Sequence, residues 1–148
     1  MNLSMDKFEN RHKETNDFLI NELDMKIKDS VKLRMISDVP IGAFLSGGVD
    51  SSLIAAQMQS ISKKPINTFT IGFDNDEYNE ALHAKKIAKY LKTNHVEHYV
   101  SPKETLETIP FLSNAWDEPF ADSSQIPTLL ISKICLLYTS DAADELTS

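Results

Sequence analysis

Leu45-Ser46-Gly47-Gly48-Val49-Asp50-Ser51-Ser52 holds two of the four glycines in this 148-residue chain, side by side. The other two are Gly42 and Gly72, and no glycine follows Gly72. Where glycine is this scarce, an adjacent pair marks a turn that other residues would strain. Before the pair, Ile41 to Leu45 is a short apolar run that reads as a buried strand. After it, Ser51 to about Ile61 reads as a helix with Leu53, Ile54 and Met58 along one side. Strand, glycine turn and helix in that order begin a βαβ unit. The turn then sits at the carboxyl end of a strand, where parallel sheets hold their ligands.

Outward from this stretch the alternation continues. Residues 1–16 are charged and expected to be a flexible N-terminal segment. From Asp17 to Met35 the apolar residues Ile20, Leu23, Ile27 and Val31 recur at helical spacing, and Asp38 and Pro40 end the run. Ile66 to Ile71 is β-branched and aromatic and reads as a strand, followed by an acidic loop from Gly72 to Tyr78. Asn79 to Lys92 is a helix whose stripe is Ala84, Ile87, Ala88 and Leu91. His95 to Val100 is a third strand, and Ser101-Pro102-Lys103-Glu104 carries a helix cap, a first-turn proline and a capping-box glutamate. Trp116 to Ser124 reads as a loop and Gln125 to Lys133 as a last helix. The expected fold class is α/β, with a mostly parallel sheet and flanking helices.

Composition narrows the function. Lysine and arginine number 15 against 22 aspartates and glutamates, a net charge of −7, which argues against a nucleic-acid or anionic-membrane binder. The single cysteine, Cys135, excludes an internal disulfide framework and reads as a small apolar residue. No run approaches the roughly 18 apolar residues of a membrane span. The polar N-terminus has no signal-peptide core, so the expected location is cytoplasmic.

The turn has its own chemistry. Successive N–H groups around two glycines form an anion nest, and the following helix adds the positive end of its dipole. Ser46, Ser51 and Ser52 add hydroxyls. The spacing is neither the Walker A pattern, which ends in Gly-Lys-Ser/Thr, nor G-x-G-x-x-G. Asp50 beside bound phosphates would repel them unless a cation lay between, so it points to Mg²⁺. The plainer alternative is a strand-to-helix turn capped by Asp-Ser.

Ser46-Gly47-Gly48-Val49-Asp50-Ser51-Ser52 resembles the PP-loop of the N-type ATP pyrophosphatases, which adenylate their substrates. Three flanking stretches narrow the resemblance to glutamine-hydrolysing asparagine synthetases: Asp38-Val39-Pro40-Ile41-Gly42-Ala43-Phe44, Thr68-Phe69-Thr70-Ile71-Gly72-Phe73, and Asp117 to Thr128. The resemblance implies an adenine nucleotide alpha hydrolase-like, Rossmann-like domain, truncated, over residues 17–134. It implies ATP and Mg²⁺ as cofactors. Ser46, Gly47, Gly48, Asp50 and Ser51 would hold pyrophosphate, with Asp50 tethering the metal. Phe44, Leu45 and Ile71 would lie at the adenine end. For the side chains of Phe44 and Ile71 alone, core packing is the stronger reading, and the expectation concerns their location rather than their residue type.

The implied reaction activates the β-carboxylate of L-aspartate as β-aspartyl-AMP, which ammonia from glutamine converts to asparagine. Related PP-loop enzymes resembling β-lactam synthetases or peptide cyclases, and an inactive nucleotide-binding fragment, are the alternatives. Asn2 stands where the glutaminase half carries its cysteine, so the glutaminase domain is expected to be missing and the chain alone inactive as a ligase. Residues 135–148 match the family only in part, both of its glycines being absent there. The stretch LLYTSDAADE resembles translated sequencing-adapter read-through, so no site residue is taken from it. Asp74, Asp76 and Glu77 read as a solvated loop. His95 and His98, three apart in a strand, face opposite sides and read as ordinary histidines. Asp122 or Ser123 reads as a helix cap.

Overall fold

The computed structural model describes residues 15–73, 80–118 and 122–145. Helix α1 (Asn16–Arg34) opens at Thr15, whose side chain accepts from Phe18 N–H. Asp17 in its first turn and Lys32 and Arg34 in its last complement the helix dipole. Thr15 and Asn16 therefore belong to α1 and not to a flexible segment; residues 1–14 lie outside the described residues. Next come β1 (Gly42–Phe44), α2 (Val49–Ile61), β2 (Asn67–Phe73), α3 (Ala81–Leu91) and β3 (Asn94–Val100). After β3 the Ser101 capping box starts α4 (Pro102–Thr108), with both reciprocal hydrogen bonds made to Glu104. A 3₁₀ turn (Ile109–Phe111), α5 (Leu112–Ala115) and α6 (Gln125–Glu145) follow.

The three strands pair in parallel, in the order β1-β2-β3, with Phe44 opposite Phe69 and Ile71 opposite His98. The α/β reading of the sequence holds, with helices on both faces. Ala43 and Leu45 point to one face and join Ala55 and Met58 of α2, Ala84 and Ala88 of α3, and Val31 of α1 in the core. Phe69 points to the other face, where its ring lies 6.2 Å from that of Tyr138 on α6. No helix among the described residues is long and apolar enough to cross a membrane.

Three details depart from the periodicity. On α1 only Val31 is buried, while Ile20 and Leu23 are exposed. The buried side of α2 is Ala55, Gln57 and Met58; Leu53 and Ile54 are about two-fifths exposed. Gln57 is satisfied there by the carboxylate of Asp24, which ties α2 to α1. Helix α6 runs without a break past Lys133, where the sequence reading ends it, to Glu145. The run Leu136-Leu137-Tyr138 to Glu145 contains neither glycine nor proline to stop a helix.

A polar cluster sits between β2, β3 and α3. Thr68, fully buried, shares hydrogen bonds with Thr93 (2.8 Å) and with His95 Nδ1 (3.0 Å). The His95 side chain is 9% exposed, and its Nε2 lies 4.0 Å from Glu97, with no hydrogen-bond partner among the described residues. Glu97 is held by Lys85 Nζ at 2.9 Å and accepts from Tyr99 at 3.2 Å. Burial raises the Glu97 carboxyl, but Lys85 and Tyr99 outweigh it, leaving it below the usual range. Burial pushes the His95 imidazole below its ordinary value, against the pull of Glu97. His98 faces the other side, 3.4 Å from Glu104.

The glycine pair is asymmetric. Gly47 has φ +84°, and a Cβ there would stand 3.0 Å from Ala84 N, Glu80 O and His83 Cβ, at the start of α3. Gly48 is extended (φ −72°), and a Cβ on it would meet only Ser46 Oγ, at 3.4 Å. Gly47→Ala is expected to destabilise by about 1–2 kcal/mol or more, and Gly48→Ala by less than about 0.5 kcal/mol, both read from urea unfolding at pH 7. Because the folded state holds His95 neutral, stability conferred above the unfolded imidazole value of about 6.5 is lost as pH falls below it. The melting temperature should drop between about pH 7 and pH 5.5, and His95→Gln should flatten that slope; an equal slope in the variant would exclude His95 as its source.

Candidate nucleotide-binding site

The sequence between β1 and α2 forms the site. Leu45 completes β1's pairing: its N–H donates to Phe69 O at 2.8 Å, and its carbonyl accepts from the Thr70 hydroxyl. Leu45 is 1% exposed. Both its main-chain groups and its side chain are engaged inside the protein, so Leu45 anchors the turn. A hydrophobic side chain at the end of a buried strand is held by packing before anything else.

Beyond Leu45 the chain turns through Ser46, Gly47 and Gly48 into α2. Two of the turn's amides are taken by hydroxyls: Ser46 N–H donates to Ser51 Oγ (3.2 Å) and Gly48 N–H to Ser46 Oγ (3.3 Å). The two hydroxyls are themselves 2.9 Å apart. Ser51 and Ser52 hydroxyls both donate to Gly48 O, so Ser52 closes the first turn of α2. The expectation that successive N–H groups all face one hollow is therefore corrected, because serine hydroxyls within reach of an amide bond to it. The first helical bond of α2 is Ser52 N–H to Gly48 O, and no side chain caps this end. The N–H groups of Val49, Asp50 and Ser51 thus carry the positive end of the α2 dipole without an intrahelical acceptor.

Asp50 is in the first turn of α2 and exposed. Among the described residues no hydrogen bond or ion pair engages its carboxylate. The donor set fits a magnesium ion shared with phosphate oxygens, because such ions take one or two carboxylates and keep the rest of their shell for water and substrate. Asp50 is the residue that would hold it; no group of three acidic, histidine or cysteine side chains converges among the described residues.

The adenine-end residues come from neighbouring strands. Phe44, the last residue of β1, is 45% exposed, so it is not core. Ile71 is half-buried on β2, two positions past the partner of Phe44. Both lie towards the carboxyl ends of their strands. A cavity of about 540 Å³ opens along β1 between α1 and α2; of the expected site residues only Phe44 lines it, beside Ile54, Met58 and Arg34.

The remaining candidates stand apart. Asp74, Asp76 and Glu77 lie outside the described residues, as do Pro119, Phe120 and Ala121. Asp122 accepts from Ser124 N–H at 2.7 Å and turns the chain into α6. The Ser124 hydroxyl and then its N–H hold the Asp122 carboxyl below the usual range. Cys135 is half-buried, and burial pushes its thiol up, away from a reactive thiolate. Sequence reasoning missed the role of Thr70. The available signal was the alternation of Thr68 and Thr70 in an otherwise apolar strand, since a buried hydroxyl needs a partner.

The sequence matches the asparagine synthase family over residues 22–146. It is 38% identical over 133 residues to a putative glutamine-hydrolysing asparagine synthetase 2 of Methanocaldococcus jannaschii, covering 86% of this chain and 26% of the relative. It is 34% identical over 135 residues to asparagine synthetase 1 of Bacillus subtilis, covering 88% of this chain and 21% of that one. The human asparagine synthetase is 30% identical over 142 residues, covering 86% of this chain and 25% of the relative. The chain thus spans about a quarter of the length of the curated relatives it matches. Among solved structures, an NH3-dependent NAD synthetase from Campylobacter jejuni superposes with a TM-score of 0.54 at 15% identity, over 79% of this chain and 52% of that one. That likeness speaks for the shared α/β fold alone. The match over most of the chain, with its glycine turn inside the matched region, makes this chain a member of the asparagine synthase family.

Proposed function

We propose that the chain carries the ATP-binding part of an ATP-dependent amide ligase that makes L-asparagine from L-aspartate, with ammonia drawn from glutamine in the whole enzyme. The observation that carries this reading is the uncapped start of α2 behind the Ser46–Gly48 turn, with the carboxylate of Asp50 beside it, in a chain of this family. Triphosphate oxygens accept from the N–H groups of Val49, Asp50 and Ser51. The hydroxyls of Ser46 and Ser51, which rotate at little cost, switch from the turn's amides to the phosphates. Phe44 and Ile71 flank the base.

The chemistry follows from charge. The β-carboxylate of aspartate, already ionised at neutral pH, attacks the α-phosphorus in line; the bond to the bridging oxygen breaks and pyrophosphate departs. Ammonia then attacks the acyl carbon of β-aspartyl-AMP, loses a proton, and AMP leaves with the C–O bonding pair. The first step needs no general base. It needs the negative charge that accumulates on the leaving group to be met, which fixed main-chain N–H groups and a helix dipole do without reorganising. Asp50 would hold magnesium, which would supply further neutralisation of the leaving group's charge.

The test is titration of this chain with ATP, with and without magnesium, followed by calorimetry. Asp50→Ala should weaken binding of ATP with magnesium by about tenfold or more. In EDTA it should leave binding of free ATP unchanged or tighter, since a repulsive charge has been removed. Equal effects in the two conditions would dismiss the metal tether, and absence of ATP binding by the unsubstituted chain would dismiss the whole reading. In a pyrophosphate-release assay on the longer protein, aspartate should outperform other carboxylic acids; preference for a different acid would favour an adenylating relative with another acceptor.

A further inference from the structure

Helix α1 carries its apolar stripe past the body it packs on. Ile27, Val31 and Arg34 form one wall of the cavity beside β1, with Ile54 of α2 on another side. Stepping back from Ile27 by four and then three residues on the same helix face reaches Leu23 and Ile20. Ile27 and Val31 reach the core, but Leu23 and Ile20 are 59% and 63% exposed. They continue the cavity wall as one uncovered apolar surface.

The charges of α1 are segregated along its length. Residues 16–25 hold Asp17, Glu22 and Asp24 and no basic residue, whereas residues 26–34 hold Lys26, Lys28, Lys32 and Arg34 against a single acid, Asp29. The sign changes between Met25 and Lys26, at the middle of the helix. A second α1 laid antiparallel on this face matches acidic half to basic half in both directions, while a parallel one sets like charges side by side. Some of these charges are already engaged: Lys26 reaches Glu22 at 2.5 Å, and Asp24 accepts from Gln57. Those at the two ends are not. Arg34 donates to Ser30 Oγ at 3.1 Å, and no carboxylate among the described residues pairs with it. Asp17, in the first turn, is exposed and has no cationic partner among the described residues.

We propose that α1 is a self-association surface. Two copies of this chain pair antiparallel through the face of Ile20, Leu23 and Ile27, about a two-fold axis between Met25 and Lys26, and the exposed leucine and isoleucine of each cover the cavity of the other. In that register the Ile20 turn of one helix lies against the Val31 turn of its partner, and the Asp17 turn against the Arg34 turn, once on each side of the axis. The contact uses the same patch on both copies, so it closes at a dimer. It is independent of the ATP-binding reading.

Sedimentation equilibrium of the unsubstituted chain should give a mass twice the 16.7 kDa of one copy. Leu23→Asp should weaken the dimer by about tenfold or more, with an unchanged far-UV circular dichroism spectrum, since Leu23 is exposed within one copy. Charge reversal tests direction and register. Asp17→Arg brings two cations together at each end of the pair and Arg34→Asp two carboxylates, so each variant alone should associate about threefold or more weakly. Mixed in equal amounts, the two variants regain an opposite-charge contact at both ends. The mixed dimer, identified by native mass spectrometry, should form at close to the parent's affinity. If Asp17→Arg frays the start of α1, Leu23→Ala keeps the helix and decides instead, with an expected loss of about threefold or more. A monomeric parent chain overturns the proposal and leaves this face to another part of the longer protein. A dimer indifferent to Leu23→Asp overturns it in favour of the open outer edge of β1. A mixture that associates no better than either charge variant alone overturns the antiparallel register.

Discussion

The organisation of this molecule depends on where β1 stops. Leu45 is driven into the core by its side chain, and two hydrogen bonds to β2 hold its peptide, one from each main-chain group. Everything the turn presents is displaced from that fixed point by only a few bonds. The next residues cannot continue the strand, because Gly47 turns into a left-handed conformation directly against the first turn of α3. They cannot fold back either, because Gly48 already accepts the first helical bond of α2. A three-residue strand thus delivers a precisely aimed helix terminus because both of its ends are over-determined.

That constraint links elements distant in sequence. The seat of Gly47 is made of main-chain and Cβ atoms of residues 80–84, so the placement of α3 sets the turn's shape. Helix α3 is in turn fixed to β3 through Lys85 and Glu97, and Glu97 stands beside the buried His95. The polar cluster and the turn therefore meet at the two ends of one helix turn.

Much of this was legible in the sequence, and the rest failed for identifiable reasons. The strands, the parallel order and the turn were readable because glycine is rare here and β-branched residues cluster between helical segments. The buried faces of α1 and α2 were not. Hydrophobic periodicity predicts which side of a helix is apolar, but α1 packs on the core from Ile27 onward, so Ile20 and Leu23 stay exposed. On α2 the small residue Ala55 wins the buried position over Leu53 and Ile54 because the helix lies close to β1, and a close approach favours a short side chain. Gln57 is buried because Asp24, 33 residues earlier, satisfies it, and no local pattern carries that information.

The serines show the same division at the scale of single atoms. Their number and position around the glycines were readable, and so was their suitability for phosphate. Which of them cap the turn, which bridge it and which close the helix was not, because a hydroxyl bonds whatever amide or carbonyl the backbone brings within reach. Ser52 closes α2 from within, whereas Ser46 and Ser51 face each other across the turn. The distinction has a chemical consequence. Ser51, like Ser52, also donates to the Gly48 carbonyl, whereas the Ser46 hydroxyl is held only by Gly48 N–H and Ser51 Oγ and can be redirected by one rotation about its side-chain bond. The turn is therefore rigid in its main chain and adaptable in its side chains, a combination suited to a ligand whose charge distribution changes as a phosphorus–oxygen bond breaks.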